Sequence, residues 1–212
     1  MIQTLAISQA IGSLAIVEEK FGLVESSDEQ FCTEWWQNLL ELNDVEKQAL
    51  DRLKQRFVSH KKRGQLSEGA VDRLLVSPLL DLAGLYEPRF VIDTEASVEV
   101  LAEDEDELYR GRIDVLVVEH RLWVLVVEEK ATRIDMETAL PQALAYMVAS
   151  PSLEKPVFGL ATNGNRFAFI KLQQRDRREY AFSDSFSLLS HQNKLYDVLQ
   201  ILKHIGNLIV GN

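Results

Sequence analysis

The chain has 212 residues, 46% of them hydrophobic and 26% charged, with one cysteine and a formal net charge of -10. That length and balance suit one domain, or one with an appendage, around a sizeable core, and exclude extended disorder. They also exclude an internal disulfide, a helical membrane span (no apolar run approaches about 18 residues) and a surface basic throughout; a local basic groove stays open.

Residues 1–65 read as a helical extension. Leu5, Ile7, Ile11, Leu14 and Val17 trace a loose helical face. Ser27 and Gln30 have the spacing of a helix start, followed by Phe31, Trp35, Leu39 and Leu42 at intervals of three or four. Asn43 and Glu46 open a further helix through Leu50, Leu53 and Phe57, which closes on the basic run His60-Lys61-Lys62-Arg63. This run, with Lys54 and Arg56, and the cluster Arg175, Arg177 and Arg178 read as solvated surface. Cys32 reads as a buried structural thiol, and a lone thiol fits a reducing cytoplasm. No leader pattern of a basic segment, apolar core and cleavage site heads the chain.

Residues 66–212 carry the rest. Ser67 opens a helix through Leu82 that Pro78 should kink or split. From Phe90 the pattern turns to strand: a short Phe90-Val91-Ile92, then an alternating stretch from Ala96 to Ala102, and an acidic turn over 103–107. Two apolar strands follow, Gly111 to Val118 and Leu122 to Lys130. Asp135 can cap a helix to about Ser150, with Pro141 irregular in it. Val157–Ala161 and Arg166–Leu172 flank Asn163-Gly164, a hairpin signal in which both positions favour positive φ. Tyr180-Ala181-Phe182 adds an edge strand, and Ser190 caps a last helix from Leu195 to Ile209. The order of elements is that of an α/β or α+β fold.

The two apolar strands hold the chemistry. Side chains alternate along a strand, so Glu128 and Lys130 share one face and Glu129 points to the other. Asp114 joins Glu128 only if the two stand opposite each other, which brings Cβ atoms to roughly 4.5–5.5 Å. A plain two-residue turn at His120-Arg121 would set Asp114 against Val127 instead. The site therefore requires a three-residue loop around His120, Arg121 and Leu122, or a bulge. In that register two carboxylates converge and suit Mg²⁺, which takes oxygen ligands at about 2.0–2.1 Å. Lys130 can orient or deprotonate a water, or offset developing negative charge. One helix on, Gln142 and Tyr146 share a face and can reach the same mouth.

Asp114, Glu128-Glu129-Lys130 and Gln142-x-x-x-Tyr146, with Gly111-Arg112-Ile113-Asp114 and Ala161-Thr162-Asn163-Gly164, resemble the PD-(D/E)xK nuclease superfamily. Within it the Gln-xxx-Tyr branch is nearest: RecB-type nucleases and the N-terminal nuclease domain of type I restriction-enzyme motor subunits. The resemblance covers about residues 65–172. It implies a restriction-endonuclease-like mixed central sheet flanked by helices and a Mg²⁺-dependent deoxyribonuclease, with Mn²⁺ able to serve. Asp114, Glu128 and the Glu129 carbonyl would hold the metal, Lys130 would be the catalytic lysine, and Gln142 and Tyr146 would support the site or touch phosphate. Glu68 matches the acid that such enzymes often add from the preceding helix, and equally reads as a first-turn glutamate favouring the helix dipole. Ile113, not proline, precedes Asp114, a departure that many members share, and no Gly-x-x-x-x-Gly-Lys-Ser/Thr loop for a helicase part is present. The implied partner is DNA, with self-association through the N-terminal helices open. The rival reading is a catalytically idle nuclease fold used for binding or assembly.

Overall fold

The computed structural model describes residues 3–102, 106–120, 122–175 and 177–208. In chain order it has β1 (Gln3–Ala6), α1 (Ile7–Ala10), α2 (Leu14–Phe21), β2 (Leu23–Glu25), a 3₁₀ turn at Thr33–Trp35, α3 (Asp44–Lys61) and α4 (Glu68–Val71). A π-helical turn (Asp72–Val76) joins α4 to α5 (Ser77–Leu82), before β3 (Val91–Leu101), β4 (Glu107–Glu119) and β5 (Leu122–Glu129). Then come a 3₁₀ turn at Met136–Thr138, α6 (Ala139–Val148), β6 (Val157–Thr162), β7 (Arg166–Gln173), β8 (Arg178–Phe182), β9 (Phe186–Ser187) and α7 (Leu195–Leu208).

Among the described residues the strands form one mixed sheet, ordered β1-β4-β5-β6-β7-β8-β2, with β3 also on β4 and β9 also on β7. β1–β4, β5–β6 and β2–β8 pair parallel, and the other pairs are antiparallel. Helices cover both faces. One face packs Leu50, Leu53 and Phe57 of α3, Leu79 of α5 and Leu199, Leu202 and Ile205 of α7 against Val117, Leu125, Phe158 and Phe169. The other packs α1, α2 and α6 through Ile7, Val17, Phe21 and Leu144 against Leu116, Val126 and Ile170. The central strands are apolar runs because both their faces are covered. This is the expected α/β class, with the mixed central sheet flanked by helices of the restriction-endonuclease-like fold.

The N-terminal 65 residues differ from the helical expectation. They contain helices, but β1 and β2 join the sheet beside β4 and β8. Residues 26–42 hold no α-helix: Asp28 accepts from the Gln30 amide in a side-chain turn, and one 3₁₀ turn carries Trp35. Cys32, Trp35 and Leu42 anchor this segment in the core. Burial pushes the Cys32 thiol up to about 12, which suits a structural role. α3 begins as expected, with Asn43 and Glu46 closing a reciprocal cap at 2.9 and 2.8 Å.

Pro78 splits its helix: the Ser77 amide reaches back five residues to the Asp72 carbonyl, and α5 restarts with the proline in its first turn. The two stretches expected around Phe90–Ala102 are one strand, β3, interrupted by Glu95 at φ 60. At the β6–β7 turn only Gly164 is left-handed (φ 76); Asn163 instead accepts from the Asn165 and Arg166 amides at 3.0 and 3.1 Å. A methyl at Gly164 would stand 2.8 Å from the Phe57 ring. β8 is not an edge, since it lies between β7 and β2. The last helix is preceded by Asn193, which accepts from the Leu195 amide at 3.2 Å, rather than capped at Ser190. Parts of the acidic turn (103–105), Arg121 and Ile209 lie outside the described residues.

Candidate active site

One edge of β4 changes partner along its length. Up to Arg110 it pairs with β1, and from Val115 it pairs with β5. Gly111 to Asp114 fall between these two ladders, so this edge of β4 has room for side chains. On the sheet face here α6 packs close: a methyl at Gly111 would lie 2.5 Å from Tyr146 Cε1 and 3.0 Å from its hydroxyl oxygen. Glycine is needed there for close approach. On the other edge the β3 ladder runs Thr94–Val115 and Ala96–Ile113, with Glu95 between. Ile113 packs into the core of one sheet face and Val115 into that of the other. Asp114 thus stands where strand alternation breaks.

The register follows the bulge alternative. Glu119 pairs with Leu122 and Val118 with Trp123, which begins a two-residue hairpin. The ladder then shifts, and Val117 pairs with Leu125, Leu116 with Val126 and Val115 with Val127. Val124 is the extra residue, buried on the same sheet face as Leu125. Continued one step, this register sets Asp114 across from Glu128. Leu122 belongs to β5, so a three-residue loop including it does not form. Asp114 Oδ2 accepts from the Glu129 backbone amide at 2.6 Å, which ties the two strands at the site.

Glu128 is 2% exposed and Glu129 3%. Lys130 donates to Glu128 Oε1, while Glu128 Oε2 is buried without a hydrogen-bond partner. Burial and then the Asp114 carboxylate outweigh Lys130 and push the Glu128 carboxyl up to about 8. Glu129 is pushed up to about 9 by burial, then Asp72, Asp114, Glu128 and Glu68. Burial also raises Asp114, against the Glu129 amide and Lys130. Burial disfavours the Lys130 ammonium, yet Glu128, Asp114 and Glu68 hold its pKa above the ordinary lysine value. Lys130 is therefore a cation at neutral pH, suited to offset negative charge rather than to take a proton. Burial, then Glu128 and Asp114, raise the Tyr146 hydroxyl, so it stays protonated.

A cleft of about 430 Å³ opens beside these groups, lined among others by Glu68, Asp72, Arg73, Tyr86, Glu95, Asp114 and Glu129. Glu68 is thus brought to the site by the first turn of α4. Glu129 lines this cleft with Asp114, and Glu128 is not among its lining residues. Gln142 is buried in α6 with Oε1 unpartnered, one turn before Tyr146. The sequence reading missed Asp72 and Glu95. Asp72 follows Glu68 by four residues and could have been found by helical spacing; nothing in the sequence marks the positive φ of Glu95.

Surrounding loops fix the mouth. Lys130 donates its amide to Thr162 O at 2.8 Å, and Thr132 and Leu66 exchange backbone and hydroxyl hydrogen bonds at 2.9 and 3.0 Å. Asn163 Nδ2 donates to Ile134 O at 2.8 Å. Among the described residues no three His, Cys, Asp or Glu side chains are grouped to hold a metal ion. The orphaned Glu128 oxygen is a buried acceptor of the kind a hard cation takes.

Among solved structures, the chain is similar to a fragment of a putative HsdR subunit of a type I restriction enzyme from Vibrio vulnificus YJ016. The two share 20% identity at a TM-score of 0.40, over 58% of this chain and 24% of that one. No protein-family model matches the chain, and no curated protein matches it. Among the described residues no helix is long and apolar enough to cross a membrane.

Proposed function

We propose that this protein is a metal-dependent nuclease that hydrolyses phosphodiester bonds in DNA. The observation that carries the reading is the Glu128 carboxyl group: buried, hydrogen-bonded through one oxygen to Lys130, orphaned at the other, and one step beyond the Val115–Val127 pair on the side of Asp114. Unpaired buried acceptors are rare in native folds and cluster where an ion or a reacting group belongs.

Asp114, Glu128 and the Glu129 carbonyl would hold Mg²⁺, or Mn²⁺ in its place. The bound ion would supply positive charge to a phosphate oxygen and lower the pKa of a water. Burial and mutual repulsion now push all three acids toward their neutral forms, so the pocket is short of positive charge. Lys130, held by Glu128 and kept protonated, places an ammonium where negative charge would build up on a phosphate. Gln142 and Tyr146, on one face of α6, support the wall of the site. Glu68 faces the cleft from α4 and can steady a water or a second shell of solvent around the ion.

The test uses the full chain with Mg²⁺ or Mn²⁺ and labelled duplex and single-stranded DNA. Cutting is expected, and Asp114→Ala and Lys130→Ala should each reduce it by about a hundredfold or more while far-UV circular dichroism stays unchanged. Cutting undiminished in both variants removes the assignment. A folded protein that cuts no form of DNA with either metal supports the idle binding or assembly module instead.

A further inference from the structure

Three loops meet at the end of the sheet where β5 and β6 finish, and each brings cations. The segment after α3 carries Lys62 and Arg63 and is tied through Leu66 to Thr132. The loop after β5 carries Arg133, next to Thr132. The β6–β7 turn carries Arg166, next to Asn165, whose Nδ2 donates to Thr132 O at 3.2 Å. Lys61 closes the ring by donating to Asn165 Oδ1. Phe57 packs beneath, against Gly164, so the turn of α3 that presents these cations is fixed to the β6–β7 turn.

Lys62, Arg63, Arg133 and Arg166 are all exposed, and among the described residues none has a carboxylate within salt-bridge distance. Lys20, Arg110, Arg112, Lys171, Arg177, Lys194 and Lys203, elsewhere on the molecule, are paired with acids. Lys47, Arg52, Arg56 and Arg89 are likewise exposed without an acid partner among the described residues, so what sets the rim apart is that four such cations sit on loops hydrogen-bonded to one another beside Lys130. Arg133 stands three residues from Lys130, Lys62 and Arg63 stand six and five residues from Glu68, and Arg166 lies across one hydrogen bond from the loop after β5.

We infer that this rim is the seat of a polynucleotide backbone, gripping phosphates on one side of the scissile bond while the acid-lined cleft excludes further phosphates from the other. The inference rests on the nuclease reading for the position of the scissile phosphate, but not for the binding itself. Cations at fixed spacing on anchored loops neutralise phosphates and release counterions, whatever the base sequence. The same rim explains how an acidic protein approaches DNA, since local field rather than net charge governs a docked polyanion.

The experiment measures binding of a fluorescein-labelled oligonucleotide to the full chain by anisotropy in EDTA, where no cutting occurs, across a salt series. Arg63→Glu and Arg133→Glu are compared with Lys155→Glu, which makes the same charge change just before the other end of β6. The rim variants should each weaken binding by about tenfold and flatten the dependence of log K on log salt by about one unit. Lys155→Glu should behave as wild type. Equal losses in all three variants, or none in the rim variants, overturn the rim. Salt-dependent binding lost only in the rim variants, with no cutting in Mg²⁺, keeps the rim and removes the nuclease; cutting with rim variants that bind normally does the reverse.

Discussion

At the end of β5, Asp114, Glu128 and Glu129 share one buried neighbourhood with the Lys130 ammonium. The unfolded chain gives up its glutamate protons near pH 4.5, but in the fold Glu128 keeps its proton to about 8 and Glu129 to about 9. Between those limits the folded state binds more protons, so raising the pH favours unfolding. In EDTA, the Tm should therefore fall as pH rises from 5 to 9. Glu129→Gln should remove part of that fall, because its side chain has no proton to lose. Mg²⁺ should raise Tm more at pH 8 than at pH 5, since the ion competes with protons for the same oxygens. A Tm that climbs over this range in EDTA, or a slope unchanged by Glu129→Gln, would mean that these acids are ionised in the metal-free fold.

The β4–β5 hairpin makes its register with one residue. Val124 is the bulge, and its removal leaves a regular two-residue hairpin that still sets Asp114 against Glu128. Deleting Val124 should cost about 1.5–3 kcal/mol for the lost buried side chain and keep cutting within a few-fold. Deleting Val126, beyond the bulge, slides Asp114 onto Glu129 and should abolish cutting. A Val124 deletion that keeps its circular dichroism but loses activity would show that the bulge, and not the pairing, shapes the site.

This hairpin was legible in the sequence because its strands are long, apolar on both faces and joined by a short turn, so alternation alone posed the register question. The capping box of α3 and the strands of the β6–β7 hairpin were legible for similar local reasons. β1 and β2 were not: they are four and three residues long, and they pair parallel with strands about a hundred or more positions away. Leu5, Ile7 and Ile11 carry no period that separates a short strand and a single turn from one helix. Phe31, Trp35 and Leu42 fall at helical intervals although their segment is mostly loop, because side chains that anchor a loop also recur every few residues. At the site, Asp72 and Glu95 join through a π-helical turn and a left-handed residue, neither of which has a composition signal.

Across the whole molecule, the first 65 residues are woven into the sheet and both cores. β1 extends the edge of β4 just before Gly111, and β2 closes the far edge on β8. Trp35 packs 5.9 Å from Phe158 and 5.5 Å from Phe169, and Lys171, on the same strand as Phe169, pairs with Glu34. Tyr180 donates to Glu18 at 2.6 Å, and Arg178 to the Phe21 carbonyl at 2.7 Å. Leu50, Leu53 and Phe57 fill one core, and Ile7, Ile11, Val17 and Phe21 the other. A fragment of residues 66–212 would expose both of these apolar faces and leave two sheet edges open. Such exposed edges and apolar patches promote association rather than folding. The fragment should therefore bind a hydrophobic dye strongly, melt without a cooperative transition and show no cutting, while adding back residues 1–65 as a separate chain should restore a transition only if the two halves associate. Calorimetry decides the matter: a sharp transition for 66–212 alone, within a few degrees of the full chain, would make the N-terminal segment a separable extension rather than part of the fold that positions Asp114.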